Sequence, residues 1–157
     1  VLAVGDSARL EILFSTGSYS GEIIKRPLIE TNDPSGPHRV EIRTNVVANP
    51  DSTSPIGCDP YKLNVSQYTP DIRDRIDFSI ENRSAEDLDL YLVDRPEGLF
   101  SLTLPGFVEA GSSAAGQLVV LPEALDSSFQ KSITVRVSDM LNHRFTIPVV
   151  RSYRPTR

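Results

Sequence analysis

Five stretches of this chain alternate apolar and polar side chains with a period of two, and that pattern constrains its fold more than any other feature. Ala8, Leu10, Ile12 and Phe14 share one side of a segment whose other side carries Arg9, Glu11 and Ser15. Val40, Ile42 and Thr44 alternate with Arg39, Glu41 and Arg43, and Ile76, Phe78 and Ile80 with Arg75, Asp77, Ser79 and Glu81. Leu88, Leu90 and Leu92 alternate with Asp87, Asp89 and Tyr91, and Ile133, Val135 and Val137 with Ser132, Thr134, Arg136 and Ser138. Successive side chains of a strand point to opposite faces, so each stretch reads as a strand dry on one side and wet on the other. That is the signature of a two-layer antiparallel sandwich. The best helical candidate, Pro122 to Phe129, lacks three apolar positions at helical spacing and reads as a loop. Turn-forming clusters fall between the strands at 31–37, 81–84, 95–98, 105–106 and 109–112, where Gly, Pro, Asn and Asp fix or tolerate the required backbone angles.

The chain also repeats itself. Leu2-Ala3-Val4-Gly5-Asp6-Ser7-Ala8 aligns with Val108-Glu109-Ala110-Gly111-Ser112-Ser113-Ala114 at an offset of 106 residues. Ile29 to Asp33 falls on Val135 to Asp139 at the same offset, and His38 to Ile42 on His143 to Ile147 at 105. The repeat unit is therefore the size of an immunoglobulin-like domain, about 100 residues. The expected fold is an all-β, immunoglobulin-like β-sandwich, with one complete repeat after the C-terminal half of a preceding one. Residues 1–47 supply the last three strands of the first copy, near Ala8–Ser15, Glu22–Thr31 and His38–Val47. Residues 48–60, with three prolines and little to bury, are the expected linker. Residues 61–153 form the complete seven-stranded repeat, its strands near Tyr61–Ser66, Asp74–Asn82, Leu88–Val93, Leu99–Leu104, Ala114–Leu121, Gln130–Ser138 and His143–Arg151. Phe78, Ile80, Leu90, Leu118, Ile133, Val135, Phe145 and Ile147 should supply its core.

Residues 2–48 carry a further pattern. Gly5-Asp6-Ser7-Ala8 opens a strand, Phe14 follows, and an apolar strand after Gly21 ends in Thr31-Asn32-Asp33-Pro34 before a last strand to Val46. This resembles the uncharacterised bacterial immunoglobulin-like repeats related to hydin-type (ASH) and major-sperm-protein-like domains. The Thr-Asn-Asp-Pro turn is its most specific element. The second repeat has Val137-Ser138-Asp139-Met140 instead, so its membership rests on the internal alignment. The resemblance implies a seven-stranded sandwich, often in tandem, in cell-envelope, periplasmic or extracellular proteins, with no catalytic residues.

A net charge of −5 argues against a nucleic-acid partner, which requires a clustered basic face. No apolar run approaches the ~20 residues that span a bilayer, so no membrane insertion is expected. A single cysteine, Cys58, excludes an internal disulfide. As a nucleophile it would need a lowered pKa and a base, whereas Asp59 beside it pushes the other way. His38 and His143, the two histidines, fall at equivalent places in the two copies, too far apart to share a metal with one cysteine. Glu86, Asp87, Asp89 and Asp94 could offer oxygen ligands to calcium, but a solvated strand face explains them as well. Gly111 to Gly116 reads as a strand-entry turn, not a phosphate loop. Asn64-Val65-Ser66 and Asn82-Arg83-Ser84 match the glycosylation acceptor pattern, which has no meaning in a bacterial chain. No catalytic, cofactor-binding or metal residue is assigned, and no cofactor is expected.

The expected function is a non-catalytic structural or protein-interaction module of a larger tandem-repeat protein, with protein partners of unknown identity. Strand addition at a sheet edge is its commonest physical mode. The alternative is an accessory carbohydrate- or ion-binding domain of a larger enzyme. Carbohydrate sites usually display exposed aromatic rings; this chain has no tryptophan, and its five tyrosines are scattered. The incomplete first repeat, with Leu10, Ile12, Phe14, Ile23, Ile29, Val40 and Ile42 on its inward row, should relieve its exposure first by a homodimer, two-fold or strand-exchanged, and second by packing on the complete repeat.

Overall fold

The computed structural model describes residues 5–8, 10, 12, 14, 16, 19–31, 34, 36–49 and 53–154. The chain divides into unit 1, Val1–Ala48, and unit 2, Asn49–Arg157.

Unit 1 contains β1 (Gly21–Lys25), β2 (Leu28–Ile29), β3 (His38–Arg39) and β4 (Ile42–Val46). β1 pairs antiparallel with β4, and β2 with β3. These ladders are the expected hairpin of Glu22–Thr31 with His38–Val47, interrupted around Arg26-Pro27 and Val40-Glu41, where Pro27 has no amide to donate. Its inward row is half-buried: Ile23, Ile29, Val40, Ile42, Thr44 and Val46. In the expected strand Ala8–Ser15, residues 9, 11, 13 and 15 lie outside the described residues, and Ala8, Leu10, Ile12 and Phe14 are not in a strand.

Unit 2 is a two-sheet sandwich. Its strands are β5 (Ile56–Asp59), β6 (Leu63–Asn64), β7 (Arg75–Asn82), β8 (Leu88–Asp94), β9 (Phe100–Thr103), β10 (Phe107–Val108), β11 (Ser113–Val120), β12 (Phe129–Val137) and β13 (Arg144–Arg151). One sheet runs β10-β8-β12-β13-β6 and the other β5-β7-β11-β9. β6 is parallel to β13; the other pairs are antiparallel. All seven strands expected between 61 and 153 are present, and a 3-10 turn at Pro122–Ala124 opens the segment read as a loop.

Alternation decides what is buried. Phe78 and Ile80 from β7, Leu118 from β11, Leu88 and Leu90 from β8, Ile133, Val135 and Val137 from β12, and Ile147 and Val149 from β13 meet between the sheets. Burying each such side chain is worth about 1.5–3 kcal/mol. Phe145, expected in this core, is only partly buried against it, because β13 has barely left its turn there; its ring lies tilted by 57° to that of His143, 6.4 Å away.

Among the described residues four polar ones are buried, Ser66, Gln67, Asn82 and Arg151, and the last two hold the most bonds. Asn82, at the end of β7, donates from Nδ2 to the carbonyls of Glu86 (2.8 Å) and Val108 (3.0 Å), while its Oδ1 accepts from the Ser84 amide (3.0 Å) and hydroxyl (2.7 Å). It fixes the β7–β8 turn and ties it to β10. Its amide nitrogen is spoken for, so this acceptor motif is closed to modification in the folded state. Arg151, 1% exposed, ends β13 on the inward side. Its guanidinium donates to the carbonyls of Val65 (2.6 Å), Arg73 (2.8 Å) and Leu125 (3.1 Å) and to Gln67 Oε1 (3.2 Å).

The expected linker 48–60 is corrected in its second half. Ile56–Asp59 is an edge strand on β7, and Ile56, 2% exposed, belongs to the core. The prolines that suggested a linker, Pro55 and Pro60, bracket the strand instead of interrupting it, as edge strands permit. β10 was also missed: two residues are too few to show alternation.

Candidate functional site

Cys58 lies in β5, not in a linker. Its Sγ is partly buried and approaches the carbonyl of Pro60 at 3.4 Å. Burial, and then the neighbouring Asp59 charge, pushes its pKa up to about 12. A thiol so placed stays protonated and is a poor nucleophile.

His143 precedes β13 in the turn after β12. Asp139 accepts its backbone N–H at 2.8 Å through Oδ1, and Oδ2 meets the imidazole Nδ1. Burial, the largest single influence, raises the Asp139 pKa, but the bonds from His143 together outweigh it and hold the carboxyl below its usual value. The pair closes a turn in which Asn142 has φ 51° and accepts a bond from Arg136 Nη1 at 2.7 Å. His38 begins β3 in unit 1. Asp87 Oδ1 accepts the Ala110 amide (2.9 Å) and so fastens the loop before β11, while Asp89 Oδ2 accepts the Tyr91 hydroxyl (3.3 Å) along the outer face of β8 itself. Among the described residues, no three His, Cys, Asp or Glu side chains are grouped to hold a metal ion. Ring contacts among the described residues pair Phe14 with Tyr19, Phe100 with Phe129 and His143 with Phe145, and no two tyrosines.

What the fold does bring together is an uncovered sheet edge. β10 pairs with β8 only at Leu88 and Asp89, and the last bond on that side runs from the Leu90 amide to the Gly106 carbonyl at 2.9 Å. In an antiparallel ladder alternate residues turn their amide and carbonyl to the same side. Those of Leu92 therefore face away from β12, and no strand among the described residues pairs there. The next residue, Val93, is a bulge: Leu92 sits opposite Val135 and Asp94 opposite Thr134. Bulges re-aim side chains, and here Leu92 (43% exposed) and Val93 (40%) are both left in solvent, beside Tyr91 on the outer face and Phe107 on β10. Leu92 was expected on the dry face; it holds that register, but β10 stops short of covering it.

The other edges are blunted. β5 is four residues between prolines, β6 has two residues, and on β9 the Phe100 carbonyl is occupied by Arg95 Nη1 at 3.1 Å. Proline, short strands and edge-covering charges protect an edge from pairing. The stretch after Leu90 is open at Leu92 and is closed beyond it by the Val93 bulge and Asp94-Arg95-Pro96.

No protein-family model and no curated protein matches the chain. Among solved structures it is similar to a protein of unknown function from Porphyromonas gingivalis, with 15% identity, a TM-score of 0.50, and coverage of 87% of this chain and 67% of that one. It is also similar to a C. elegans MSP family member (15% identity, TM-score 0.47, 64% and 99% coverage) and to the periplasmic chaperone SfaE (11%, 0.41, 65% and 58%). At 15% identity the likeness to the Porphyromonas gingivalis protein is one of fold alone.

Periodicity could not have revealed the open edge, because it depends on where β10 ends. One signal was present: four consecutive large apolar residues, Leu90-Tyr91-Leu92-Val93, where strict alternation would have placed polar ones at 91 and 93.

Proposed function

We propose that this chain is a non-catalytic protein-interaction module which binds an extended segment of a partner by strand addition along β8. The observation that carries the proposal is the unpaired edge at Leu92 beside the exposed side chains of Leu92, Val93 and Phe107. Backbone bonds at the edge supply affinity and alternate side-chain contacts supply specificity. The loop and strands around it hold Glu86, Asp87, Asp89, Asp94 and Glu97 against Arg95 and Arg136, the latter 4.3 Å over the Tyr91 ring, and this acidic excess favours a partner segment with basic residues between its apolar ones. The resemblance of residues 2–48 to repeats of envelope and extracellular proteins supports a place in such a protein.

The test is amide exchange on the 157-residue chain with a panel of extended apolar–basic peptides. A bound peptide should protect the Leu92 amide, and Val93→Lys should abolish binding without moving the unfolding midpoint of unit 2. Binding indifferent to Val93→Lys would sink the edge as the site. Glycan binding lost on replacing Tyr61 or Tyr68, both 55% exposed, would favour the accessory-domain reading instead. Turnover lost on replacing Cys58, His38 or His143 would refute the non-catalytic reading.

A further inference from the structure

The turn between β12 and β13 points its two apolar residues outward and uses its polar groups to keep them there. Met140 and Leu141, at its tip, are 93% and 75% exposed, more than any other large apolar side chain among the described residues. A chain that needs only to reverse direction does so with Gly, Asn, Asp or Pro, and a slack loop would fold such side chains back onto the surface. This turn is not slack. At its base the Val137 amide donates to the His143 carbonyl (3.0 Å), the Ser138 amide to the Asp89 carbonyl (3.1 Å) and the Asp89 amide to the Ser138 hydroxyl (2.9 Å). Within it the Asn142 amide donates to the Asp139 carbonyl (2.9 Å), and Asp139 holds both the amide and the ring of His143. The Asn142 side chain takes a bond from Arg136, whose guanidinium is seated over the Tyr91 ring. Met140 and Leu141 are thus presented in a fixed geometry, and most of the ordering that binding through them requires is already present in the free chain.

We infer that Met140 and Leu141 form an anchor that enters an apolar pocket on a protein partner, and that the rim of that pocket is basic. The charge around the tip selects this occupant. Glu86 and Asp87 lead into β8 beside the turn, Asp87 holds the Ala110 amide next to Glu109, and Asp89 and Asp139 belong to the turn's own bonds. Against these five carboxylates stand two cations, Arg136 and Arg144, a net −3, while Glu81 and Arg83 nearby pair with each other at 2.7 Å. A field of that sign repels an anionic lipid surface, nucleic acid and the same end of a second copy, and it attracts Lys and Arg. Two side chains are also too little apolar area to hold a chain on a neutral bilayer, where even a myristoyl chain binds only marginally. Methionine, by contrast, is enriched in protein interfaces, and its flexible, polarizable side chain adapts to a pocket. The inference rests on the protein-interaction reading above but not on its β8 edge.

Met140 is the one methionine of the chain, so photo-methionine places a cross-linker, and a methyl-labelled methionine an NMR reporter, at the tip alone. The 157-residue chain carrying photo-methionine is irradiated in extracts of the cells that make it, and each cross-linked protein is then purified and titrated with the unmodified chain. The expected result is a protein that shifts or broadens the Met140 methyl signal, binds Met140→Ser/Leu141→Ser about tenfold or more weakly, and loses affinity as salt rises. Both side chains lie outside the core, so the double variant should keep its unfolding midpoint; if it does not, the Met140 signal of the unaltered chain decides. Val93→Lys reports on the β8 edge separately, so either reading can fail without the other. Cross-linking to no protein, or only to a second copy, overturns the inference, as does a purified partner that binds the double variant equally well or binds more tightly at high salt. Binding to phosphatidylcholine vesicles, with or without phosphatidylserine, that the double variant loses would overturn it too, by assigning the tip to a membrane.

Discussion

The ring of Phe78 lies directly over Gly116, its cross-strand partner between β7 and β11. A β-carbon at 116 would stand 2.4 Å from Phe78 Cζ and 2.9 Å from the Thr103 carbonyl oxygen. An aromatic ring covering a strand glycine shields exposed backbone and pins register. Gly116→Ala should therefore destabilise unit 2 by about 1–3 kcal/mol through overpacking, and Phe78→Ala by about 3–5 kcal/mol through the cavity it leaves. Adding Phe78→Leu to Gly116→Ala should recover part of the first loss but not all of it, since the Thr103 carbonyl cannot move aside. Urea unfolding of the original chain, Gly116→Ala, Phe78→Ala, Phe78→Leu and the double variant checks this, and strict additivity of Gly116→Ala with Phe78→Leu would refute the contact.

Arg151 should be irreplaceable for a different reason. Its fork reaches four acceptors in three segments, and none of them is a carboxylate. Desolvation lowers its pKa, but a guanidinium remains charged. Arg151→Met keeps the apolar stem and strands those acceptors, at about 3 kcal/mol or more. Arg151→Lys should rescue less than half of that, because an ammonium is a point donor without the planar fork. Equal stability of the Lys and original chains in urea would contradict the role given to geometry.

Cys58 should behave as a buried apolar side chain. With its pKa pushed up to about 12, its thiolate fraction at pH 8 is roughly a thousandfold below that of an unfolded cysteine near 8.5. Alkylation by iodoacetamide should be slower by a comparable factor in the folded chain and become fast in denaturant. Rapid labelling without denaturant would show that β5 does not hold its edge.

The turn after β12 should loosen in acid. Asp139 has a folded pKa below its unfolded one, so its contribution to the turn is complete above about pH 4 and is lost as pH falls through the folded value. A carboxyl titration by NMR should place Asp139 below the ordinary aspartate value, and exchange of the His143 amide should accelerate over the same range. Asp139→Asn should remove that acid-dependent step.

Alternation made most of unit 2 legible. Phe78, Ile80, Leu118, Ile133, Val135 and Ile147 could be assigned inward from period alone, because each sits mid-strand between neighbours that alternate. The failures share a physical cause: they turn on where a strand ends or what lies across it. Phe145 is near a turn, Leu92 passes the end of β10, and Ile56 was hidden by the prolines that frame its short strand. Arg151 carried a signal that went unread, a charged residue continuing the inward row of Ile147 and Val149.

The parallel pairing of β6 with β13 has a consequence for a chain that carries load. β6 lies near the start of unit 2 and β13 near its end, so tension applied through the two ends slides one strand along the other. The bonds from the Val65 amide to Val150, the Gln67 amide to Ser152 and the Arg154 amide to Gln67, all 2.9–3.0 Å, then lie across the pulling direction, share the load and must yield together. Arg151 grips the Val65 carbonyl across the same seam. Once the short β5 has peeled away, the seam acts as a shear lock, whereas a hairpin pulled open gives way one rung at a time.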